Sequence, residues 1–194
     1  TLMKFFFVRD YSRKYRYFSS ETFSQIKIKS SRLRKIWELA KKKLMLLPQR
    51  VLRQEQAFGR VLKLEEKNIQ VFHSGRLEKK RLKIKFYFFL QKQRTKHIFM
   101  LTGEALLLPI SGLAIILPGP NVFFGYLALL MITHWQALKG INRLLKIEHE
   151  FISSSLFKDW EQTLESKKEE SYSQILGKIE REYNLRDIHK VLWK

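Results

Sequence analysis

The sequence predicts a mainly α-helical protein: an apolar helical hairpin, basic N-terminal helices, a short N-terminal strand pair and a small C-terminal helical unit. Three observations carry that reading. Residues 98–140 gather the long apolar runs, three of the four prolines and five of the eight glycines. Apolar residues before and after this stretch recur at the three- and four-residue spacing of helices. Two short β-former runs, at residues 2–8 and 68–73, stand apart from that pattern. The 194 residues divide into a basic region with its hairpin over 1–147 and the small helical unit over 148–194.

In chain order, Leu2 to Val8 is apolar apart from Lys4 and reads as an opening strand. Tyr11 to Lys29 then interleaves basic and aromatic side chains. Ser30 or Ser31 is placed to cap a helix whose apolar positions are Leu33, Ile36, Trp37, Ala40 and Leu44. Pro48 suits the first turn of another, with Val51, Leu52, Phe58, Val61 and Leu62 on its apolar side. Asn68 to His73 reads as a strand able to pair with residues 2–8, and Ser74-Gly75 ends it. Residues 77–96 fit both periods. Leu82, Ile84, Phe86 and Phe88 alternate as in a strand, whereas Leu82, Phe86 and Phe89 align at helical spacing. Beyond residue 148, Leu156, Trp160 and Leu164 mark one helix. Ser171-x-x-Gln174 opens the next as a capping box, and Asn184 closes it. Leu185 to Trp193 forms a last short helix.

The central stretch has the length of two membrane segments, since a bilayer core takes about 20 mostly apolar residues. Pro118, Gly119, Pro120 and Asn121 reverse the chain between them, with a cation-facing loop as the other reading of that turn. Leu-Pro-Gly-Pro-Asn-Val-Phe-Phe at 117–124, followed by His134, Trp135, Gln136, Ala137, Leu138, Lys139 and Gly140, resembles the core signature of the mitochondrial K+/H+ exchange-related family. Pro109 and His97 also stand where that family carries a proline and a histidine. The resemblance favours a helix over 77–96 running into the hairpin. It implies a role in monovalent cation and proton homeostasis, as a component or accessory of an exchange system at an inner-type membrane. One departure limits it: the family commonly has an arginine four residues before the second motif's histidine, and this chain has Leu130.

Charge is unevenly placed. Of the formal +20, all falls on residues 1–96, with 27 Lys and Arg against 7 Asp and Glu, while residues 97–194 hold 11 of each. A basic half of this kind seeks an anionic partner. Lys79, Lys80, Arg81, Lys83, Lys85, Lys92, Arg94 and Lys96 adjoin the hairpin. Anionic lipid therefore ranks ahead of nucleic acid, for which no helix-turn-helix, zinc-finger or aromatic RNA-binding motif is found. Within the membrane reading, a homo-oligomer or partner membrane proteins would complete any pathway. Lys4 to Phe18 is Arg-rich and acid-poor like a presequence, but its β-formers favour the strand, which points to a bacterial cytoplasmic rather than a mitochondrial inner membrane. The competing reading is a soluble or peripheral interaction protein with the hairpin as buried core.

Glu104 is the sharpest single residue, because a carboxylate in an apolar segment is costly and often marks an ion or proton path. His97 lies seven residues earlier on the same helical face, and His134 lies on the partner segment, so His97, Glu104 and His134 form a candidate proton or ion relay. The plainer alternative is Glu104 at headgroup level, solvated or paired with Lys96. Zero cysteines exclude disulfides and thiolate chemistry. No nucleophile elbow, phosphate-cradling glycine loop or metal-ligand spacing is present, so neither an enzyme nor a cofactor is expected.

Overall fold

A computed structural model describes residues 4–20, 49–64, 68–113, 122–167 and 169–193. The strands are β1 (Phe5–Arg9), β2 (Tyr15–Ser19), β3 (Asn68–His73) and β4 (Glu148–Ser153). They form one mixed sheet in the order β2-β1-β3-β4. The helices are α1 (Gln49–Val61), α2 (Lys79–Leu113), α3 (Val122–Leu144), α4 (Ser155–Ser166), α5 (Tyr172–Tyr183) and α6 (His189–Leu192). A 3-10 turn, Glu169–Ser171, joins α4 to α5. The expected strand pair exists, as β1 and β3 in parallel.

Two further strands make the fold α/β, and this overturns the mainly α expectation. β2 runs antiparallel to β1, and β4 runs parallel to β3. β2 lies within a run whose β-formers suggest the opening strand alone, and β4 is hidden by its acidic alternates. In β2, Arg16 points its guanidinium at Asp10, 2.7 Å away, while Tyr17 and Phe18 enter opposite cores. In β4, exposed Glu148 and Glu150 alternate with half-buried His149 and Phe151.

β1 explains why the sheet has two covered faces. Phe5, Phe6, Phe7 and Val8 are all buried, which is the continuous apolar run of a central strand covered on both sides. Alternate side chains go to opposite faces. Phe5 and Phe7 join Tyr17, Ile69 and Val71 beneath α1, α2 and α3. Phe6 and Val8 join Phe18 beneath α4, α5 and α6. Cross-strand stacking pins the register, with Phe5 on Tyr17 at 5.4 Å and Phe6 on Phe18 at 5.2 Å. Parallel β3 and β4 need a long crossover, and α2 with α3 supplies it.

The membrane-spanning apolar hairpin is also overturned. Among the described residues, no helix is long and apolar enough to cross a membrane. The physical reason lies in how α2 and α3 use their apolar positions. Buried residues on α2 fall at 82, 86, 90, 97 and 104, and on α3 at 127, 129, 134, 137, 140, 141 and 144. Apart from Leu129, they line one packed seam per helix. The lower seam holds Leu82, Phe86, Leu90, Ala137, Ile141 and Leu144 against the sheet. The upper seam holds His97, Glu104 and His134, which a lipid-facing pair would exclude. The turn at Pro118, Gly119, Pro120 and Asn121, and the helix expected after Ser30, lie outside the described residues.

Residues 148–194 supply β4 and the helices of the second face. Ser171 precedes α5 as expected, without a side-chain cap hydrogen bond, and Asn184 closes it in the left-handed conformation at φ 51°. The last helix is shorter than its apolar pattern implies, because turns occupy residues 186–188.

Candidate functional site

The site forms where α1 crosses the α2–α3 pair. Glycine makes the crossing possible: a Cβ on Gly140 would sit 1.8 Å from the Phe58 carbonyl oxygen. At that separation no side chain fits, so the α1 backbone rests directly on α3. Ala137, one turn earlier on α3, is fully buried in the same contact. Arg143 then fixes the end of α1, donating from Nη1 to the Leu62 carbonyl at 3.1 Å and from Nη2 to that of Leu64. The guanidinium thus satisfies carbonyls of the turn that follows α1 and ties that turn to α3.

Close approach at Phe58 brings Glu55, nearly one turn earlier on α1, onto α2. Its Oε2 lies 2.8 Å from His97 Nε2. The His97 and His134 rings are 5.4 Å apart, centre to centre. His134 Nδ1 in turn lies 2.7 Å from Glu104 Oε1. The result is a row, carboxylate–imidazole–imidazole–carboxylate, drawn from three helices. All four residues are buried, from 0% exposed at His97 to 9% at His134. Phe58 packs edge-on against His97 and closes that side.

Both carboxylate–imidazole approaches have hydrogen-bond length, yet Glu55 Oε2, His97 Nε2 and His134 Nδ1 are not aligned as hydrogen bonds. His97 Nδ1 and Glu104 Oε2 are buried without a hydrogen-bond partner among the described residues, as is Oε1 of Gln93, one turn before His97. So many unaligned buried polar atoms in one slot are unusual, since native interiors pair nearly all of theirs. Burial pushes the Glu55 carboxyl up, but His97, Lys96 and His134 more than offset this, so it titrates below the ordinary glutamate value. Lys96 Nζ reaches Glu55 Oε1 at 3.4 Å from the half-exposed rim. Among the described residues, no three His, Asp or Glu converge as a metal site would.

The structure thus brings His97, Glu104 and His134 together in contact. Sequence reasoning missed Glu55, although a signal existed. Positions 51, 55 and 58 share one helical stripe, and a carboxylate in an otherwise apolar stripe asks for a buried partner. Lys96, weighed as a partner for Glu104, instead pairs with Glu55. The second motif separates into roles. His134, Ala137 and Gly140 lie at three-residue steps on the packed side, and Leu138 is half-buried. Trp135 is exposed, with the Lys139 ammonium 5.1 Å from its ring centre. Of the basic residues expected at an anionic surface, Lys79, Lys80, Arg81, Lys83, Lys85, Lys92 and Arg94 are exposed along α2.

Comparison with curated proteins and with solved structures finds no match. Residues 9–147, over two thirds of the chain, match the family described as mitochondrial K+-H+ exchange-related. The match holds β2, α1, β3, α2 and α3, hence every member of the buried row, and ends immediately before β4. On that match, the chain belongs to the mitochondrial K+-H+ exchange-related family.

Proposed function

We propose that this protein serves monovalent cation and proton homeostasis as a non-enzymatic component or accessory of an exchange system at an inner-type membrane. In this role the Glu55–His97–His134–Glu104 row takes up and releases protons. The observation that carries the proposal is the row itself. Imidazole is the side chain suited to proton exchange near neutral pH, and here each ring has a carboxylate at hand to receive the positive charge. Its two rings adjoin, so a proton arriving at one pair changes the field at the other. Family membership supports the same reading. Because the row lies between three helices, its protonation state is coupled to how α1 sits on α2 and α3, which is the form a regulatory or accessory role would take.

The test is K+-driven proton movement across vesicles prepared from cells that express the full chain, its Glu104→Gln variant, or neither. A chain-dependent component that falls at least severalfold in Glu104→Gln is the expected result. An unchanged rate in Glu104→Gln would remove the row from the mechanism. Identical rates with and without the chain would overturn the function itself.

A further inference from the structure

Opposite the packed seam, α2 presents a second, outward stripe. At about 100° per residue, Arg81, Phe88, Lys92, Phe99 and Leu106 fall within one narrow sector, about half a turn from His97 and Glu104. Phe88 is 71% exposed, Phe99 79% and Leu106 69%. Large apolar side chains this open on one helical line are not core, and no described element covers them. The stripe is graded. Its first half carries exposed Arg81 and Lys92, and residues 79–96 contain no acid at all. Its second half, from Ile98 onward, has Glu104 as its sole charged group before Leu113, and that carboxylate faces inward.

From this arrangement we infer that the outward stripe of α2 is a docking face for an anionic lipid bilayer, on which the helix lies rather than spans. The inference deepens the membrane reading above by naming the surface and its lipid chemistry. A basic section that meets phosphate headgroups beside aromatic and aliphatic side chains that enter the acyl boundary is the makeup of an interfacial helix. Each Lys or Arg near an anionic surface contributes attraction, and two or three together with buried apolar groups give reversible binding. Charge argues against a second copy of the chain as occupant, because two such stripes face to face would oppose like charges in a molecule of formal charge +20. Nucleic acid would satisfy the lysines but leave Leu106 in water.

Flotation of the full chain with vesicles tests this without reference to ion movement, so its failure and the failure of the proton-row reading are separable. The chain is expected to float with mixed phosphatidylcholine–phosphatidylglycerol vesicles and to remain behind with pure phosphatidylcholine. The double variant Phe99→Ser, Leu106→Ser is expected to bind at least tenfold more weakly with an unchanged melting curve, since both side chains are exposed. The double variant Arg81→Glu, Lys92→Glu is expected to lose binding at moderate salt. As an independent readout, Phe99→Trp should add a blue-shifted fluorescence component on the mixed vesicles. Equal binding of the serine variant, equal binding to neutral vesicles, or an unshifted emission from Phe99→Trp would each overturn the inference. So would a dimer in solution that the serine variant breaks, because the stripe would then belong to a second copy.

Discussion

On one face of the sheet, the Trp160 indole N–H donates to the Arg9 carbonyl at 2.8 Å, and the Tyr183 hydroxyl meets that of Ser154 at 2.7 Å. On the other face, the Tyr17 hydroxyl and both ring nitrogens of His149 are buried with no hydrogen-bond partner among the described residues. Both faces pack aromatic against aromatic, the first with Phe6 and Tyr183 each against Phe72 and Phe157, the second with Phe7 and Tyr17 against Phe86. Above the second lie the ionisable row and the outward stripe of α2. A satisfied interior is cheap to keep, whereas unpaired buried polar groups cost free energy and persist where something other than stability holds them. The contrast sets a satisfied C-terminal face against a face, within the family match, that keeps unpaired buried polar groups.

The largest effect should come from the stable face. Trp160→Ala deletes a fully buried indole and leaves the Arg9 carbonyl without its donor, so about 4 kcal/mol of unfolding free energy should be lost. Denaturant melts read it. The Glu55 titration should be unaltered, because no member of the buried row touches this site. A shifted Glu55 titration in carboxyl NMR would mean that the two faces are not independent.

Gly140→Ala strikes the other face. The new methyl cannot coexist with the Phe58 carbonyl, so α1 must shift, at a cost of about 3 kcal/mol. The shift should also part Glu55 from His97. A carboxyl held below its ordinary value stabilises the fold above its unfolded pKa, and that contribution is lost as pH falls through the folded one. Gly140→Ala should therefore flatten the acid limb that Glu55 contributes and return the Glu55 titration toward ordinary glutamate, as carboxyl NMR would show. A variant that melts early yet keeps the low Glu55 titration would break the link between the crossing and the row.

These two sites also show what the sequence made legible. Leu156, Trp160 and Leu164 announce an amphipathic helix, and α4 is that helix, because one period served one purpose there. Residues 98–140 carried two overlapping demands, a seam and an outward stripe, and their sum looked like a uniformly apolar membrane segment. His97, Glu104 and His134 were readable as a cluster because seven-residue spacing survives either interpretation. Glu55 was not, since its partner is 42 positions away and depends on a helix crossing set by Gly140. β2 and β4 were missed for a related reason. The acidic alternates of β4 read as a loop until β3 supplies its hydrogen bonds, and β2 with its single Arg16 is lost inside a basic, aromatic run.

His149 gives a pH-resolved test. Burial among Phe86, Tyr87 and Phe151, with Lys83 near, lowers its titration to about 4 from an ordinary 6.5. The unfolded chain therefore binds the proton first, so stability is fully present above pH 6.5 and declines as pH falls toward 4. His149→Phe removes this proton and keeps the ring. Relative to the parent, the variant should gain about 2 kcal/mol at pH 5 beyond any difference at about pH 7.5. A gap that does not change between the two pH values would place the imidazole in water rather than in the aromatic box.

The smallest effects carry the comparison most directly, because one deleted oxygen is asked of each face. Tyr183→Phe removes the donor to Ser154 and should cost about 1 kcal/mol. Tyr17→Phe removes a hydroxyl that burial alone holds well above its ordinary titration, and it breaks no hydrogen bond to a described residue. Its ring stacks on Phe5 and Phe58 and would continue to do so in the variant. Deleting an unsatisfied buried group returns its desolvation cost, so Tyr17→Phe should be neutral to about 1 kcal/mol stabilising. Opposite signs for the same chemical change, read from paired urea melts, would place the strain on the face that holds the buried row. If both substitutions destabilise equally, the Tyr17 hydroxyl has a partner, and the unpaired groups of the row lose their nearest parallel in the fold.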